Sequence, residues 1–311
     1  MIGFRRALVT GGAGFIGSRL VTALLARGHD VTVLDNLSAG RCAAVDPRAR
    51  LIIGDVRDPL AVEDALSSID CVYHLAAQVT IRGSFDRFYE DLDTNVMGTA
   101  NLLRRLPSGA VKWFVLASSM GVYADAPAPR PIDESHPTTP ISPYGIGKLA
   151  AEQVATQILG MRGVPLTIVR YFNTFGPGQA FTPYVGALTI FITRLLAGKP
   201  PVIFGDGEQQ RDFVHVDDIV AGTMAGVGRA TGVYNLGTGR GTSLNQLAHL
   251  AIARVEPSLA PTYEAARPGE LRYSVAGITA AREALGFAPS RSLEADIDEV
   301  IAEIRQRGVT S

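Results

Sequence analysis

The stretch that most narrows what this chain can fold into is Thr10-Gly11-Gly12-Ala13-Gly14-Phe15-Ile16-Gly17. It joins a short apolar run, Ala7-Leu8-Val9, to a segment in which Leu20, Leu24 and Leu25 recur at helical spacing. Strand, glycine turn and helix follow in order. Glycines 11, 14 and 17 permit a tight turn and let the backbone approach a pyrophosphate, whose charge is favoured by the unpaired N–H groups and dipole of a helix amino terminus. A glycine triplet alone is weak evidence, but Asp30-Val31-Thr32-Val33-Leu34-Asp35 supplies a second strand ending in an acid at about the spacing a dinucleotide site needs. Asp35 is placed to accept hydrogen bonds from the adenosine ribose diol and to repel a 2′-phosphate, which favours NAD over NADP. Arg41, close by in sequence, reads as solvated.

The same alternation continues along the chain. Leu51-Ile52-Ile53 ends at Gly54-Asp55-Val56, Asp70 to Leu75 ends at Ala76-Ala77, and Val111 to Leu116 ends at Ala117-Ser118-Ser119. A helix is expected from Phe88 to Arg105, carrying Asn95 and Asn101, and a sixth strand from Val164 to Tyr171. Strands alternating with helices predict an α/β fold with a doubly wound, mostly parallel Rossmann sheet and ligands at the carboxyl ends of its strands. Gly11, Gly14, Gly17, Asp35, Asp55, Ala76, Ser119 and Tyr144 all fall at or just after such ends.

Composition excludes several classes of partner. The formal net charge is −1 over 311 residues, so no basic footprint argues for nucleic acid and no polybasic segment for a membrane surface. Cys42 and Cys71 make neither a disulfide framework nor a metal set, and buried reduced thiols are expected. His74, His136 and His215 have no second ligand at metal spacing and read as structural; Asp217-Asp218 reads as a pair of acids at a helix start. No metal is expected. The apolar run before Gly11 is too short for a signal peptide, and no stretch approaches the roughly 20 residues of a membrane span. The expectation is a soluble cytoplasmic protein acting on a small molecule.

In Ser142-Pro143-Tyr144-Gly145-Ile146-Gly147-Lys148, Ser142 can cap a helix with Pro143 at its first position. Tyr144 and Lys148 then share one face. A nearby ammonium favours the phenolate, so Lys148 is expected to bring Tyr144 down from about 10 towards working pH, as a proton shuttle requires. Taken alone, the spacing also fits an ordinary surface pair. Further along, Arg211 in Gly205 to Asp212 and Arg267 in Arg267-Pro268-Gly269-Glu270 carry planar forks that suit the oxygens of a diphosphate.

Thr10 to Gly17, Asp35-Asn36-Leu37, Gly54-Asp55-Val56, His74-Leu75-Ala76-Ala77-Gln78, Asn95, Ser118-Ser119, and Tyr144 with Lys148 together resemble the extended short-chain dehydrogenase/reductase family. Within it the chain is most similar to NAD-dependent nucleotide-sugar epimerases of the UDP-glucose 4-epimerase kind. The resemblance implies catalysis by Tyr144, Lys148 and Ser119. It implies NAD contacts from Gly11, Gly14, Phe15, Ile16, Gly17, Asp35, Asn36, Asp55, Val56, Leu75, Ala76, Ala77, Asn95, Ser118, Tyr144, Lys148 and Tyr171. For the nucleotide-diphosphate sugar it implies Ser119, Met120, Asn173, Arg211, Arg267, Glu270 and Ser274.

The resemblance also implies a homodimer through the helices around Asn95 and Tyr144. It implies a cofactor domain of 1–172 plus about 213–238, with Val233 to Leu236 returning to the sheet, and a substrate domain of 173–212 plus 239–311. Helices are expected from Tyr184 to Ala197, Ser243 to Arg254 and Leu293 to Arg305. Pro127, Pro129 and Pro131 mark a turn-rich loop. Resembling dehydratases carry an Asp-Glu pair where this chain has Met120-Gly121, so elimination of water is not expected. Gly178 to Thr193 has no arginine for a carbon-6 carboxylate, although Arg82 could reach the site. Ser274 stands where a bulky residue would exclude N-acetylated sugars. A 4-ketoreductase using NAD(P)H, or a UDP-glucuronate epimerase or decarboxylase, would share most of these motifs.

Overall fold

A computed structural model describes residues 3–126, 128–179, 186–266 and 271–308. Arg267, Glu270, Tyr184 and Pro127 lie outside the described residues. The first half runs β1 (Arg6–Thr10), α1 (Phe15–Ala26), β2 (Asp30–Asp35), β3 (Arg50–Ile53), α2 (Pro59–Ala65) and β4 (Cys71–His74). It continues through α3 (Gly83–Asp86), α4 (Phe88–Leu92), a π-helical turn (Asp93–Met97), α5 (Gly98–Arg105), β5 (Trp113–Ser119), α6 (Pro143–Met161) and β6 (Leu166–Tyr171). The second half comprises β7 (Asn173–Phe175), α7 (Ala187–Leu196), β8 (Val202–Phe204), β9 (Gln210–Arg211), β10 (Phe213–His215), α8 (Val216–Ala225) and β11 (Gly232–Leu236). It ends with β12 (Thr242–Ser243), α9 (Leu244–Val255), β13 (Thr262–Glu264), β14 (Tyr273–Ser274), α10 (Thr279–Leu285) and α11 (Leu293–Arg307).

Seven strands form one sheet in the order β11-β6-β5-β4-β1-β2-β3, every neighbouring pair parallel. Successive strand residues point to opposite faces, so each strand feeds two cores. Ala7, Val9, Val31, Val33, Tyr73 and Val115 pack with Leu20 and Leu24 of α1 and with Ile219 of α8. Leu8, Leu34, Val72, Phe114 and Leu116 pack on the other face with Val62 of α2, Leu102 of α5 and Leu159 of α6. The return of β11 beside β6 puts the expected late strand in this sheet.

A third core gathers Phe191 and Ile192 of α7, Leu247 and Ala251 of α9, and Ile297 and Ile301 of α11, away from the sheet. Those helices match the expected ones in all but their ends. The expected helix from Phe88 to Arg105 is interrupted by the π-turn around Asn95, a difference with a local cause given below. Cys71 is buried but Cys42 is exposed, which corrects the expectation of two buried thiols. No helix of the described residues is long and apolar enough to cross a membrane.

Candidate active site

The β1–α1 turn is built for close approach. Gly11 has φ +73°, and a β-carbon on it would lie 2.8 Å from the backbone nitrogen of Ala76; one on Gly17 would overlap the Gly11 carbonyl oxygen. Gly14 caps α1 in extended conformation, no side chain bonds into that helix start, and its first turn carries no acid. The helix amino terminus therefore keeps its N–H groups and dipole for an anion, with Phe15, Ile16 and Gly17 at the opening.

Asp35, buried at the end of β2, accepts the backbone N–H of Ala13 at 2.9 Å on one oxygen and that of Leu37 at 2.8 Å on the other. A carboxylate has about four lone-pair sites, so two remain for ribose hydroxyls. Asn36 donates to Asp55 at 2.8 Å, and Arg57 holds the Asp55 carboxyl well below the usual carboxylate range. Val56 packs under the sheet edge, while Leu75, Ala76 and Ala77 follow β4 directly. This cradle of small residues, an open helix start and a half-satisfied acid fits a dinucleotide.

Helix α6 begins as its sequence requires. The Ser142 hydroxyl accepts the Gly145 N–H at 3.1 Å, Pro143 takes the first position, and the Tyr144 N–H donates to Ser84 at 3.1 Å. Tyr144 and Lys148 are both buried on this helix, and the Tyr144 hydroxyl is hydrogen-bonded to Ser119 at the end of β5. The Ser119 oxygen also accepts the Gly121 N–H at 3.1 Å.

The expected effect of Lys148 on Tyr144 is not what the structure gives. Burial pushes the phenol up to about 12, Ser119 opposes the rise, and the charge of Asp91 adds to it. Burial likewise brings Lys148 down to about 8, against the pull of Glu152 and Asp91. Desolvation outweighs proximity because neither group meets bulk water.

Several interactions around this pair were not foreseen. Asn95 fixes the loop after β4: its carboxamide accepts the Gln78 N–H at 2.8 Å and donates to the Gln78 carbonyl at 3.1 Å and to Asp91 at 3.0 Å. Reaching both partners draws that residue inward, which accounts for the π-turn. Thr99 donates its only hydroxyl proton to the Asn95 carbonyl, so His74 must donate from Nε2 to Thr99 and accept at Nδ1 from Thr10. His74 is thus a neutral tie between the glycine turn and the π-turn. Glu152, one turn beyond Lys148, was legible only as a third member of the Tyr144 and Lys148 face.

Ser118 gives its hydroxyl to Glu152, and Tyr171, paired with Ser119 across the sheet, gives its own to Thr223 at 2.8 Å. Met120 is buried beside Ser119. At the far end, Ser274 pairs in parallel with Arg211, the Asn173 N–H bonds to the Asp212 carbonyl at 3.0 Å, and the Asp212 N–H to the Ser274 carbonyl at 2.8 Å. These contacts bring Asn173, Arg211 and Ser274 together. The Asp212 carboxylate turns away to Thr238, Gly239 and Ala276, so Arg211 is not neutralised by its neighbour. Burial lowers Arg211 to about 10, with the charge of Asp125 opposing the fall and that of Arg82 adding to it. The Asn173 side-chain oxygen Oδ1 and the Ser274 hydroxyl are buried without a partner among the described residues.

His215 and His136 are bonded in place: His215 donates to Glu299 at 2.7 Å and accepts from the Asp217 N–H, and His136 meets the Ala124 carbonyl. Asp217 and Asp218 lie in the first turn of α8. Among the described residues no three His, Cys, Asp or Glu side chains gather as a metal site.

The sequence pattern of the NAD dependent epimerase/dehydratase family matches residues 7–237, from β1 to just past β11. The chain belongs to that family. A putative UDP-glucose 4-epimerase of Methanocaldococcus jannaschii is 36% identical over 295 residues, covering 94% of this chain and 96% of that protein. The Thermotoga maritima UDP-glucose 4-epimerase solved with UDP-glucose superposes with a TM-score of 0.93 at 36% identity, covering 97% of this chain and 99% of the other. A UDP-N-acetylglucosamine 4-epimerase from Methanobrevibacter ruminantium superposes with a TM-score of 0.92 at 30% identity, covering 99% and 100%. The family match spans every strand of the main sheet, so both the cofactor cradle and Tyr144 fall inside it.

Proposed function

We propose that this protein is an NAD-dependent epimerase that inverts carbon 4 of a UDP-hexose through a transient 4-keto sugar. The observation that carries the reading is the buried Tyr144, bonded to Ser119 and followed one turn later by Lys148, at the carboxyl ends of the parallel strands.

Gly11, Gly14, Phe15, Ile16, Gly17, Asp35 and Asn36 would hold the cofactor's adenosine and pyrophosphate, and Leu75, Ala76, Ala77, Asn95 and Tyr171 would line its path to Tyr144. When bound, NAD would supply a reversible two-electron acceptor for the sugar and, in its oxidised form, a positive charge that favours a phenolate in the site. By itself, burial holds Tyr144 as a neutral phenol. As phenolate, Tyr144 accepts the proton of the 4-hydroxyl, Ser119 holds the same oxygen, and Lys148 stabilises the anion; the proton then returns from Tyr144 to the inverted alcohol.

Arg211 and the side-chain amide N–H group of Asn173, with Arg267 and Glu270, would grip the nucleotide and its phosphates while the sugar turns over. Met120 and Gly121 provide no acid or base for elimination. Ser274 is small, and its buried hydroxyl, without a partner among the described residues, would offer a polar group to an N-acetyl substituent.

The domain division given above follows from the same reading, as does a cytoplasmic location. A homodimer is supported by Phe88 and Tyr89 on α4, Met97 on the π-turn and Ile146 on α6, all more than half exposed. Light scattering of the wild type against Tyr89→Glu tests this: a dimer converted to a monomer is expected.

The function is tested by incubating the purified protein with UDP- and dTDP-sugars, reading carbon-4 configuration by NMR and assaying NAD released on denaturation. Interconversion of UDP-glucose and UDP-galactose without net cofactor turnover is expected. Stoichiometric consumption of NAD(P)H on a 4-keto sugar, without interconversion, would mark a 4-ketoreductase instead.

A further inference from the structure

Lys148 is buried on α6 between Tyr144 one turn before it and Glu152 one turn after it, and it also feels the charge of Asp91 from α4 while its own charge bears on His74 of β4. Burial pushes His74 down to about 3, so it is neutral. Glu152 is the group through which this enclosure connects to the rest of the fold. Its carboxylate, 4% exposed, accepts Nε of Arg170 at 2.9 Å, Nη2 of Arg170 at 2.6 Å, and the hydroxyl of Ser118. Arg170, on β6, lies 4.7 Å over the ring of Tyr123, whose hydroxyl donates to Asn235 at 2.7 Å. The half-buried Glu134 accepts the Asn235 N–H at 2.7 Å and its charge bears on Tyr123. Two cations, Lys148 and Arg170, alternate with two anions, Asp91 and Glu152, in one buried cluster.

We propose that Glu152 and Arg170 are positioning residues that hold Lys148 as an ammonium and tie the Ser118-Ser119 end of β5 to the helix that carries Tyr144. The cluster is neutral only while Lys148 keeps its proton. Removing the Glu152 charge leaves Lys148 and Arg170 as like charges in a low-dielectric site, and the lysine is the one that can shed a proton. Removing Arg170 has the opposite sign, because Glu152 then serves Lys148 alone. Through Ser118, the same carboxylate fixes the strand residue next to Ser119, so its loss also loosens the hydroxyl that pairs with Tyr144. Neither effect requires Glu152 or Arg170 to touch substrate or cofactor.

The proposal rests on the reading of Lys148 as part of the catalytic set, but its test does not. The chain has three lysines, Lys112, Lys148 and Lys199. Protein labelled with 13C at lysine Cε gives three resonances, and Lys148→Met identifies the one of interest. In the wild type it is expected to titrate below the ordinary lysine range. In Glu152→Gln the midpoint should fall by about one pH unit or more, in Arg170→Gln it should rise, and in Glu152→Asp, which keeps the charge, it should stay near wild type.

The alkaline limb of kcat for UDP-glucose should move with the NMR midpoint while KM changes little. Structural damage alone would lower the plateau and leave the midpoint in place. A Lys148 midpoint unchanged in both Glu152→Gln and Arg170→Gln overturns the proposal, and if only one of the two folds, an unchanged midpoint in that one does so. Shifted NMR midpoints in a protein that epimerises nothing would instead discard the functional reading and leave the positioning role standing.

Discussion

Gly145 in the first turn of α6 meets Gly121 so closely that a β-carbon on Gly145 would overlap the Gly121 carbonyl oxygen. The next residue before it is Tyr144, and two residues before Gly121 is Ser119, so this contact sets the distance between the phenol and the serine. Gly145→Ala must open it. Overpacking of this kind costs about 1–3 kcal/mol, and a displacement near 1 Å at a reacting group costs on the order of a hundredfold in rate. The expected result is a lower melting temperature together with a kcat reduced at least about tenfold. A variant with wild-type kcat would show that the close approach does not position Tyr144.

Tyr144→Phe removes the proposed proton acceptor and its bond to Ser119 while keeping the ring in its buried slot. General acid–base catalysis contributes about 10²–10⁴-fold, so kcat for UDP-glucose should fall by roughly a thousandfold. KM and bound NAD should change little, because neither diphosphate nor pyrophosphate is held by the phenol. Kinetic assay with NAD quantified in the same preparation checks both. A fall in NAD content matching the fall in rate would mean the tyrosine serves mainly to hold the cofactor.

Much of this site could be read from the sequence because its parts are local. Gly11 to Gly17, Asp35 after β2, and Ser142-Pro143 at the start of α6 are each fixed by residues adjacent in the chain, and the structure places them as their spacing requires. What escaped depends on residues far apart. Gln78 draws in Asn95 and breaks the helix from 88 to 105 with a π-turn, a pairing that helical periodicity does not register. Asp91 and Arg170 reach Lys148 and Glu152 only after α4 and β6 have packed against α6. The direction of the Tyr144 shift failed for the same reason: spacing shows that an ammonium is near, whereas burial, which decides the sign here, belongs to the folded state.

Ser274 offers a substitution that separates two sugars. It is fully buried beside Arg211, with a hydroxyl that has no partner among the described residues. Ser274→Tyr puts a large side chain at this position. Turnover of UDP-N-acetylglucosamine should be lost by more than about a hundredfold relative to UDP-glucose, since a side chain of that size meets the acetamido group but not a hydroxyl at the same carbon. Equal losses on both sugars would indicate that residue 274 supports the fold and not the sugar pocket. A wild-type enzyme that epimerises UDP-glucose but not UDP-N-acetylglucosamine would refute the premise itself.

Asp91 predicts an exchange of stability for activity that depends on pH. Burial pushes its carboxyl up to about 6, against the Asn95 amide and the charge of Lys148, which both favour ionisation. Below the unfolded value near 4, the group is protonated in both states and the folded protein bears no penalty. Between about 4 and 6 the unfolded chain ionises first, so the folded state binds more protons and its stability falls as pH rises. Above about 6 the loss is complete and amounts to at most about 3 kcal/mol for a shift of this size. Asp91→Asn cannot ionise but can still accept from Asn95. It should therefore melt higher than the wild type at pH 7.5, with the advantage shrinking towards pH 4. The same substitution removes one of the two carboxylates facing Lys148, so the lysine should lose its proton at lower pH and kcat should fall at pH 8 more than at pH 6.5. Melting curves across pH 4 to 7.5, paired with kcat at the two higher values, check both halves. A melting difference that is the same at every pH would mean that the carboxylate is not strained by burial.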